Sequence, residues 1–443
     1  MSAKTIRGRL AILSFMNQKT RKIILYCLIF GFCLAAAGLI LYSFGWSLGK
    51  TANGFPVFEK TGAIFLKTQP IDALIKINGK TYDRKIVLLG NNGSELIKGL
   101  SSGNYQVEVY KENYESWDKT MTISAGMISS ASNIFLFPKE VKTEPVAQKD
   151  AEKIWLTDNQ KEQIKEIFYS LKQKQLKMPG NVPITQIVSY PFDTSEDIVT
   201  TEKAIYLLNR QNFSLKLLFL VPSRALTING SEMTFIDGQN NLQIYNLDSR
   251  RITENDYLGL TKDEEATEIS LPTQVLFSKS NKEVGILTKK GELFIYDRDK
   301  KEIKKIGDGF KDFRFSPDGK KIAALNQNGE IEIIFPEDYY RDFTMAAGEK
   351  FKLNLSENSQ PLAFEWLPKI PDHLIIRYAD KTIVSEVDNR APLNQWLLGN
   401  NIKDFAFDGE GILYFIGNDN QFVKTILAQN KLIDISKILD YKN

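Results

Sequence analysis

The chain has 443 residues, of which 43% are apolar, 25% charged and 11% aromatic. This composition is ordinary for a globular protein, and it excludes disordered, collagen and coiled-coil classes for the bulk of the chain. The net charge of +3 is uneven, because seven basic residues precede the first acidic residue, Glu59, and leave a net charge of −4 on the remainder. That mildly acidic remainder argues against a nucleic-acid partner, which would require a basic face.

The N-terminal segment contains an uncharged run from Ile23 to Gly49. A helix needs about 20 apolar residues to cross the hydrocarbon core of a membrane. We therefore predict a transmembrane helix over residues 23–48, after a basic tail over residues 1–22. Six basic residues precede the run and one, Lys50, follows it. The positive-inside rule then predicts a single-pass protein of the cell membrane, with a cytoplasmic N-terminus and an extracytoplasmic bulk.

Two other interpretations of this segment remain open. Ala35-Ala36-Ala37 would suit signal-peptide cleavage, although the apolar run continues as far as Phe44. Lipid attachment at Cys33 is disfavoured by the bulky Phe32 before it. Cys27 and Cys33 are the only cysteines, so the exported part is expected to contain neither a thiol nor a disulfide.

Residues 59–139 show short runs of alternating apolar and polar residues with no helical pattern. Asn78-Gly79 is a strong signal for a hairpin turn, because a type I′ turn needs two positive φ values. Further strands are predicted around residues 105–123 and at Ile134–Phe137, which Pro138 ends. This pattern predicts a small β-sandwich.

The same segment resembles the PEGA domain, an extracytoplasmic β module of bacteria and archaea. The residues that carry the resemblance are Gly62, Leu66, Thr68, Pro70, Ala73, Ile75, Ile77, Asn78, Gly79, Lys80, Leu100, Gly103, Tyr105, Val107, Val109, Tyr114 and Trp117. The namesake tetrapeptide is here Pro70-Ile71-Asp72-Ala73, so its Glu and Gly are replaced. The resemblance implies an accessory module of the cell envelope with no catalytic residues. Tyr105, Tyr114 and Trp117 are expected to pack in the core or at a sheet edge, with a sugar-stacking platform as the alternative.

Residues 140–180 are predicted to form a linker and one amphipathic helix. The stretch from Lys139 to Lys153 is charged and almost free of large apolar residues. Thr157 and Gln160 fit a capping box, and apolar residues at helical spacing then predict a helix over about residues 158–176, which ends before Pro179-Gly180. Its narrow apolar stripe favours docking on a neighbouring domain over binding of a partner.

Residues 181–443 contain a repeated pattern, in which an apolar strand is followed by a polar turn and a second apolar strand. Six positions mark the repeats, at spacings of 37 to 52 residues: Ile205, Leu242, Leu293, Ile331, Ile383 and Phe422. Such spacings are close to the period of about 40–45 residues of propeller blades. The fold class is therefore mostly β, with a β-propeller of about six blades, or seven if residues near 144–157 add strands.

The clearest repeat runs from Phe313 to Leu325 and contains Ser316-Pro317-Asp318-Gly319. It resembles the WD40-like and TolB-type propeller repeat, in which this tetrapeptide makes the turn between the first two strands of a blade. The Trp-Asp dipeptide of true WD40 repeats is absent from residues 181–443, so the resemblance implies a divergent propeller. Its Asp-Gly turns, including Asp237-Gly238 and Asp408-Gly409, are expected to serve turn geometry rather than calcium.

The sequence offers little for catalysis, so no catalytic, cofactor or metal residue is assigned. His373 is the only histidine, and the motifs of nucleophile elbows, phosphate loops and zinc clusters are missing from the sequence. The predicted function is binding or scaffolding in the cell envelope, with a surface protein or glycan as partner. The alternative is a carboxylate-based glycan hydrolase or lyase that uses Asp263-Glu264-Glu265 or Glu337-Asp338.

The two longest insertions between blades, around Glu254–Thr273 and Pro336–Leu355, are expected to mark one binding face. The second contains the candidate partner-binding residues Tyr339, Tyr340, Arg341 and Phe343. Tyrosine and arginine are enriched where partners bind. The other interpretation is that the aromatic residues pin a long loop onto the blades.

Overall fold

The computed structural model divides the chain into two compact units, Met1–Glu108 with Thr120–Ile134, and Val109–Lys119 with Phe135–Asn443. The predicted amphipathic helix and the carboxylates at 263–265 lie outside the described residues. The structure describes residues 18–43, 46–50, 56–82, 93–146, 184–189, 196–201, 204–209, 212, 214–219, 226–237, 239–258, 272–355, 359–407, 411–417 and 421–425.

The N-terminal helix, α1, spans Gln18–Ser43. Its segment Lys22–Ser43 is long and apolar enough to cross a membrane, with a mean hydropathy of 2.6 and no burial against the protein. The helix ends earlier than the predicted 23–48, and at its end the hydroxyl of Ser43 donates to the carbonyl of Ile40 at 2.7 Å. Strands β1 (Trp46–Lys50) and β2 (Pro56–Lys60) then form an antiparallel pair.

A small β-sandwich follows, as the alternating pattern predicts. Its strands form a three-stranded sheet, ordered β6-β3-β9, and a four-stranded sheet, ordered β5-β4-β7-β8. Asn78 and Gly79 both take positive φ values at the hairpin turn between β4 and β5. The strands are β3 (Gly62–Gln69), β4 (Leu74–Ile77), β5 (Lys80–Tyr82), β6 (Ser94–Leu100), β7 (Gly103–Tyr110), β8 (Trp117–Ile123) and β9 (Ile128–Phe135).

Within the described residues, the second unit contains six four-stranded antiparallel sheets, here called blades 1 to 6. Blades 1 to 3 each use four consecutive strands. They comprise β11 (Ile184–Ser189), β12 (Glu196–Thr201), β13 (Ile205–Asn209) and β14 (Leu215–Phe219); β15 (Leu226–Asn229), β16 (Glu232–Ile236), β17 (Asn241–Asn246) and β18 (Arg251–Tyr257); and β19 (Pro272–Phe277), β20 (Glu283–Thr288), β21 (Leu293–Asp297) and β22 (Glu302–Gly307).

Blade 4 carries an extra hairpin, formed by β26 and β27, before its last strand, and blade 6 takes its last strand, β10, from earlier in the chain. Blade 4 comprises β23 (Phe310–Phe315), β24 (Ile322–Asn326), β25 (Ile331–Ile334) and β28 (Lys350–Lys352), with the hairpin strands β26 (Tyr339–Tyr340) and β27 (Thr344–Met345); blade 5 comprises β29 (Ala363–Trp366), β30 (His373–Arg377), β31 (Lys381–Glu386) and β32 (Gln395–Asn400); and blade 6 comprises β33 (Ile402–Phe407), β34 (Leu413–Gly417), β35 (Phe422–Thr425) and β10 (Glu144–Pro145).

This topology confirms the predicted β-propeller. All six repeat markers lie in the third strand of a blade: Ile205, Leu242, Leu293, Ile331, Ile383 and Phe422. The predicted turn between the first two strands of blade 4 also forms, since the N–H of Gly319 donates to the carbonyl of Ser316 at 2.8 Å. Residues 144–145 complete the sixth blade and do not begin a seventh.

Blades 1 to 5 share an apolar core with each successive neighbour, because side chains alternate across a strand. In β20, Val284 and Ile286 pack in a cluster with Leu242 of blade 2. The next residue, Leu287, packs on the opposite side with Phe313 of blade 4. Both faces of a blade are therefore buried, which explains why these strands are apolar at nearly every position.

The first strands of blades 1 to 5 contact one another in succession, so they lie innermost in the propeller. Polar side chains connect three of them. Gln274 of blade 3 donates to Asp312 of blade 4 at 2.8 Å. In turn, Arg314 donates to Asp312 at 2.5 Å and to Glu365 of blade 5 at 3.0 Å. This chain of hydrogen bonds ties neighbouring blades together at the centre of the unit.

The short strand β10 closes the ring by pairing with β35. The N–H of Val146 donates to the carbonyl of Phe422 at 2.9 Å, and the hydroxyl of Thr425 donates to the carbonyl of Lys142 at 2.8 Å. A propeller whose last blade is completed by a distant segment is held shut by that pairing.

We predict that Val146→Pro weakens this closure, because proline has no N–H to donate to Phe422. The free energy of unfolding of the full chain should fall by about 1–3 kcal/mol in urea titration. The matched control Val146→Ala keeps the N–H and should unfold at a higher urea concentration than the proline variant. Equal midpoints for the two variants would show that this pairing does not close the ring.

Candidate functional site

The two faces of the propeller differ in which connections they carry. Because adjacent strands are antiparallel, the connections between strands one and two and between strands three and four emerge on one face, here called the clasp face. Pro336–Leu355 contains the connection between the third and fourth strands of blade 4, so it lies on the clasp face. Most of the other insertion, residues 259–271 of Glu254–Thr273, lies outside the described residues, so the expectation that both insertions mark one face stays a prediction.

The hairpin of blade 4 separates the four predicted partner-binding residues into two groups. Tyr339 is buried, and its ring centroid lies 5.1 Å from that of Phe335 and 5.3 Å from that of Phe343. Phe343 packs in turn against Phe351 at 6.1 Å. These two predicted residues pin the hairpin to the blade. Tyr340, by contrast, is 71% exposed.

A buried lysine lies beneath this hairpin. The ammonium of Lys321 is completely buried, 2.6 Å from a carboxylate oxygen of Asp372 in blade 5 and 3.6 Å from one of Asp318. It also lies 4.9 Å from the ring centroid of Tyr339. On its outer side, Asp318 pairs with the guanidinium of Arg341 at 3.4 Å. The predicted site residue Arg341 therefore pairs with the carboxylate that also neutralises Lys321.

The ionisation of Asp318 fits this role. Burial acts to raise its pKa, but the charge of Lys321 and a hydrogen bond from the hydroxyl of Ser316 outweigh burial. The pKa of Asp318 therefore lies below its ordinary value, and the carboxylate stays charged at neutral pH. A cavity of about 110 Å³ opens beside it, lined by Lys320, Tyr340 and Arg341 among others.

A second buried lysine lies where residues 113–119 join the clasp face. The ammonium of Lys119 is completely buried and forms an ion pair with Glu386. It also donates hydrogen bonds to the carbonyls of Arg390 and Pro392, at 2.9 and 2.7 Å. Asn394 donates to the same Glu386 carboxylate at 3.0 Å. Burial raises the pKa of Glu386, and the charge of Lys119 opposes that rise. Lys119 and Glu386 are 267 residues apart, so no local sequence pattern indicates their contact.

Of the three aromatic residues singled out in residues 59–139, Trp117 is buried, and Tyr105 and Tyr114 are partly buried. Trp117 is 2% exposed, and its indole N–H donates to Glu386 at 2.8 Å. It is therefore not available as a sugar-stacking platform. Tyr105 donates its hydroxyl to the carbonyl of Ser101 at 2.9 Å, and Tyr114 bridges to Pro138.

The Asp-Gly turns use their carboxylates for turn geometry where they are described. Asp237 accepts hydrogen bonds from the backbone N–H groups of Gln239 and Asn241 at 2.8 and 2.9 Å. Asp408-Gly409 lies outside the described residues. In the part of the chain that the structure describes, no three His, Cys, Asp or Glu side chains are grouped so as to hold a metal ion.

Comparisons with known proteins give no family. No protein-family model matches the chain, and no curated protein matches it. Among solved structures, it is similar to the β-propeller domain of Cps50 (Swd1) from Myceliophteria thermophila, with 12% identity and a TM-score of 0.38, over 55% of this chain and 82% of that one. It is also similar to the extracellular domain of the one-component system protein BT4673 from B. thetaiotaomicron, with 14% identity and a TM-score of 0.37, over 57% and 34% of the respective chains. The assignment of the propeller rests on the strand order.

The only histidine of the chain lies between the two buried lysines. His373 begins β30, is 1% exposed, and packs between Trp396 and Phe135 at centroid distances of 5.8 Å each. Neither ring nitrogen has a hydrogen-bond partner. Burial, reinforced by the charges of Lys119 and Lys321, lowers the pKa of His373 from 6.5 to about 4, although Asp372 acts in the opposite direction.

We predict that His373 makes the protein acid-sensitive between pH 6.5 and 4. The unfolded chain binds the proton near pH 6.5 and the folded chain only near pH 4, so stability falls as pH falls through this window. The loss should approach about 3 kcal/mol. His373→Phe should remove it, so urea titrations at pH 7 and 4.5 should differ less for the variant than for the wild type. An unchanged difference would contradict this role, because the carboxylates common to both proteins would then explain it.

Proposed function

We propose that the chain is a single-pass protein of the cell membrane, with its N-terminus in the cytoplasm and its β domains outside. The apolar helix Lys22–Ser43 supports an anchor by length and composition. The basic residues before that helix support this orientation, since positive segments stay on the cytoplasmic side. In this account, the sandwich is an envelope module of the PEGA type, as the sequence resemblance implies.

We propose further that the propeller binds or scaffolds an envelope partner, a surface protein or a glycan, through its clasp face. The observation that carries this proposal is the division of the blade 4 hairpin. Tyr339 and Phe343 anchor it in the core, while Tyr340 points outward and Asp318 pairs with Arg341. A rigid Tyr-Arg pair loses little conformational entropy on binding, and these residue types dominate binding energy at interfaces.

The local chemistry does not suit Asp338 for the general-acid role of a carboxylate-based hydrolase. Asp338 accepts hydrogen bonds from the N–H of Ala347 at 2.8 Å and from the hydroxyl of Tyr340 at 3.0 Å. These bonds lower its pKa. A glycosidase needs one carboxyl group with a raised pKa as its general acid, whereas the pKa of Asp338 is lowered.

One experiment tests both the proposed membrane orientation and the proposed binding surface on the clasp face. In a Cys27→Ser, Cys33→Ser background, either Tyr340→Cys on the clasp face or Tyr257→Cys at the opposite end of blade 2 supplies the only thiol. The two tyrosines are matched, being 71% and 65% exposed. Intact cells are treated with a membrane-impermeant maleimide that carries a photo-crosslinker. Both positions should be labelled, but only position 340 should yield a crosslinked adduct, and Arg341→Ala should weaken that adduct.

The outcomes separate the two claims. Labelling only after permeabilisation would contradict the proposed orientation. Labelling with the same adduct at both positions, or with none at position 340, would contradict the clasp face as the binding surface.

A further inference from the structure

A cavity on the clasp face lies between blades 2 and 3, away from the hairpin of blade 4. Its volume is about 410 Å³, at the lower end of the range of roughly 300–1,000 Å³ for small-molecule sites. Its lining is almost wholly polar and includes Glu232 and Glu254 from blade 2 and Asn281 and Arg298 from blade 3, with the hydroxyls of Ser231 and Ser280.

Arg298 organises this cavity. Its Nε donates to Glu254 at 3.0 Å, and its Nη1 donates to Glu232 at 2.8 Å and to the carbonyl of Asn281 at 2.5 Å. Its Nη2 donates to Glu232 at 3.1 Å and also to Glu254. A guanidinium has five N–H donors, so all of them are used. The guanidinium carbon also lies over the ring of Phe277, 5.8 Å from its centroid.

This arrangement fixes which chemistry remains available to a ligand. Glu232 and Glu254 keep further lone pairs, because each carboxylate can accept about four hydrogen bonds. Their side chains are 21% and 23% exposed, so both still reach the cavity. The ligand must therefore provide hydrogen-bond donors to these carboxylates. At the rim, the ammonium of Lys282 lies 3.6 Å from Asp299 and offers donors in return.

Charge narrows the ligand class. An anion would face the carboxylates of Glu232, Glu254 and Asp299, and a cation would face the charges of Arg298 and Lys282. A neutral polyol avoids both repulsions, since each hydroxyl donates to a carboxylate and accepts from an ammonium or a serine hydroxyl. We propose that this cavity binds a neutral sugar unit of a glycan. The proposal rests on the proposed binding role of the propeller, but it involves none of the residues of the blade 4 hairpin.

The test uses the full chain in a detergent without a sugar headgroup. Cellobiose, maltose and N,N′-diacetylchitobiose are titrated separately by saturation-transfer NMR, with glucosamine as a cationic probe. Ser280→Trp fills the mouth of the cavity at an exposed position, and Lys279→Trp adds the same ring at an exposed neighbour outside the lining. Glu254→Gln tests the acceptor directly.

At least one neutral disaccharide should bind, and its saturation-transfer signal should reach a plateau as its concentration rises. Its affinity should fall at least about tenfold in Ser280→Trp and in Glu254→Gln, and stay within about twofold in Lys279→Trp. The proposal is overturned if no neutral disaccharide binds, if only glucosamine binds, or if Ser280→Trp binds the sugar as well as the wild type. Crosslinking at position 340 is scored separately, so a failure here leaves the proposed partner face intact, and the reverse also holds.

Discussion

The clasp face depends on buried cations that are neutralised by carboxylates from neighbouring segments. Removing a charge from water costs several kcal/mol unless a fixed partner replaces the solvent. Lys119 meets Glu386, Lys321 meets Asp372, and Arg298 meets Glu232. The last two pairs each join one blade to the next, and the first joins residues 113–119 to blade 5. All three lie at the edge of the sheets that carries the clasp face, so the loops there are fixed by ionic contacts in addition to apolar packing.

These contacts connect stability to the proposed function. Asp318 neutralises Lys321 inside and pairs with Arg341 outside, so the packing of blade 4 sets the geometry of the exposed Tyr-Arg pair. Arg298 does the same for the cavity between blades 2 and 3, because its five donors hold both glutamates in place. A surface that is ordered before it meets its partner loses less entropy on binding. The same buried network keeps His373 neutral, so the stability of the protein falls in acid.

The repeats were predictable from sequence because their signals are local. A Gly or Asn turn between two apolar runs defines a hairpin, and all six markers fell on third strands. The hairpin of blade 4 shows where such reasoning ends. Adjacent strand residues point to opposite sides, so Tyr339 and Tyr340 could not both reach solvent. Which of them does is decided by Phe335 and Lys321, which lie outside the hairpin. The ion pair of Lys119 with Glu386 had no local signal in the sequence, because the two residues lie 267 positions apart.

A double-mutant cycle at Lys119 and Glu386 tests most directly whether buried ion pairs hold the clasp face. Lys119→Met should destabilise the full chain by about 3–5 kcal/mol in urea titration, since it leaves Glu386 buried and uncompensated. Adding Glu386→Gln should restore much of that loss, which gives a coupling energy of at least about 1.5 kcal/mol. The exposed pair Lys282 and Asp299 serves as the matched cycle and should show little coupling. A coupling at Lys119 and Glu386 no larger than that of the exposed pair would contradict the account.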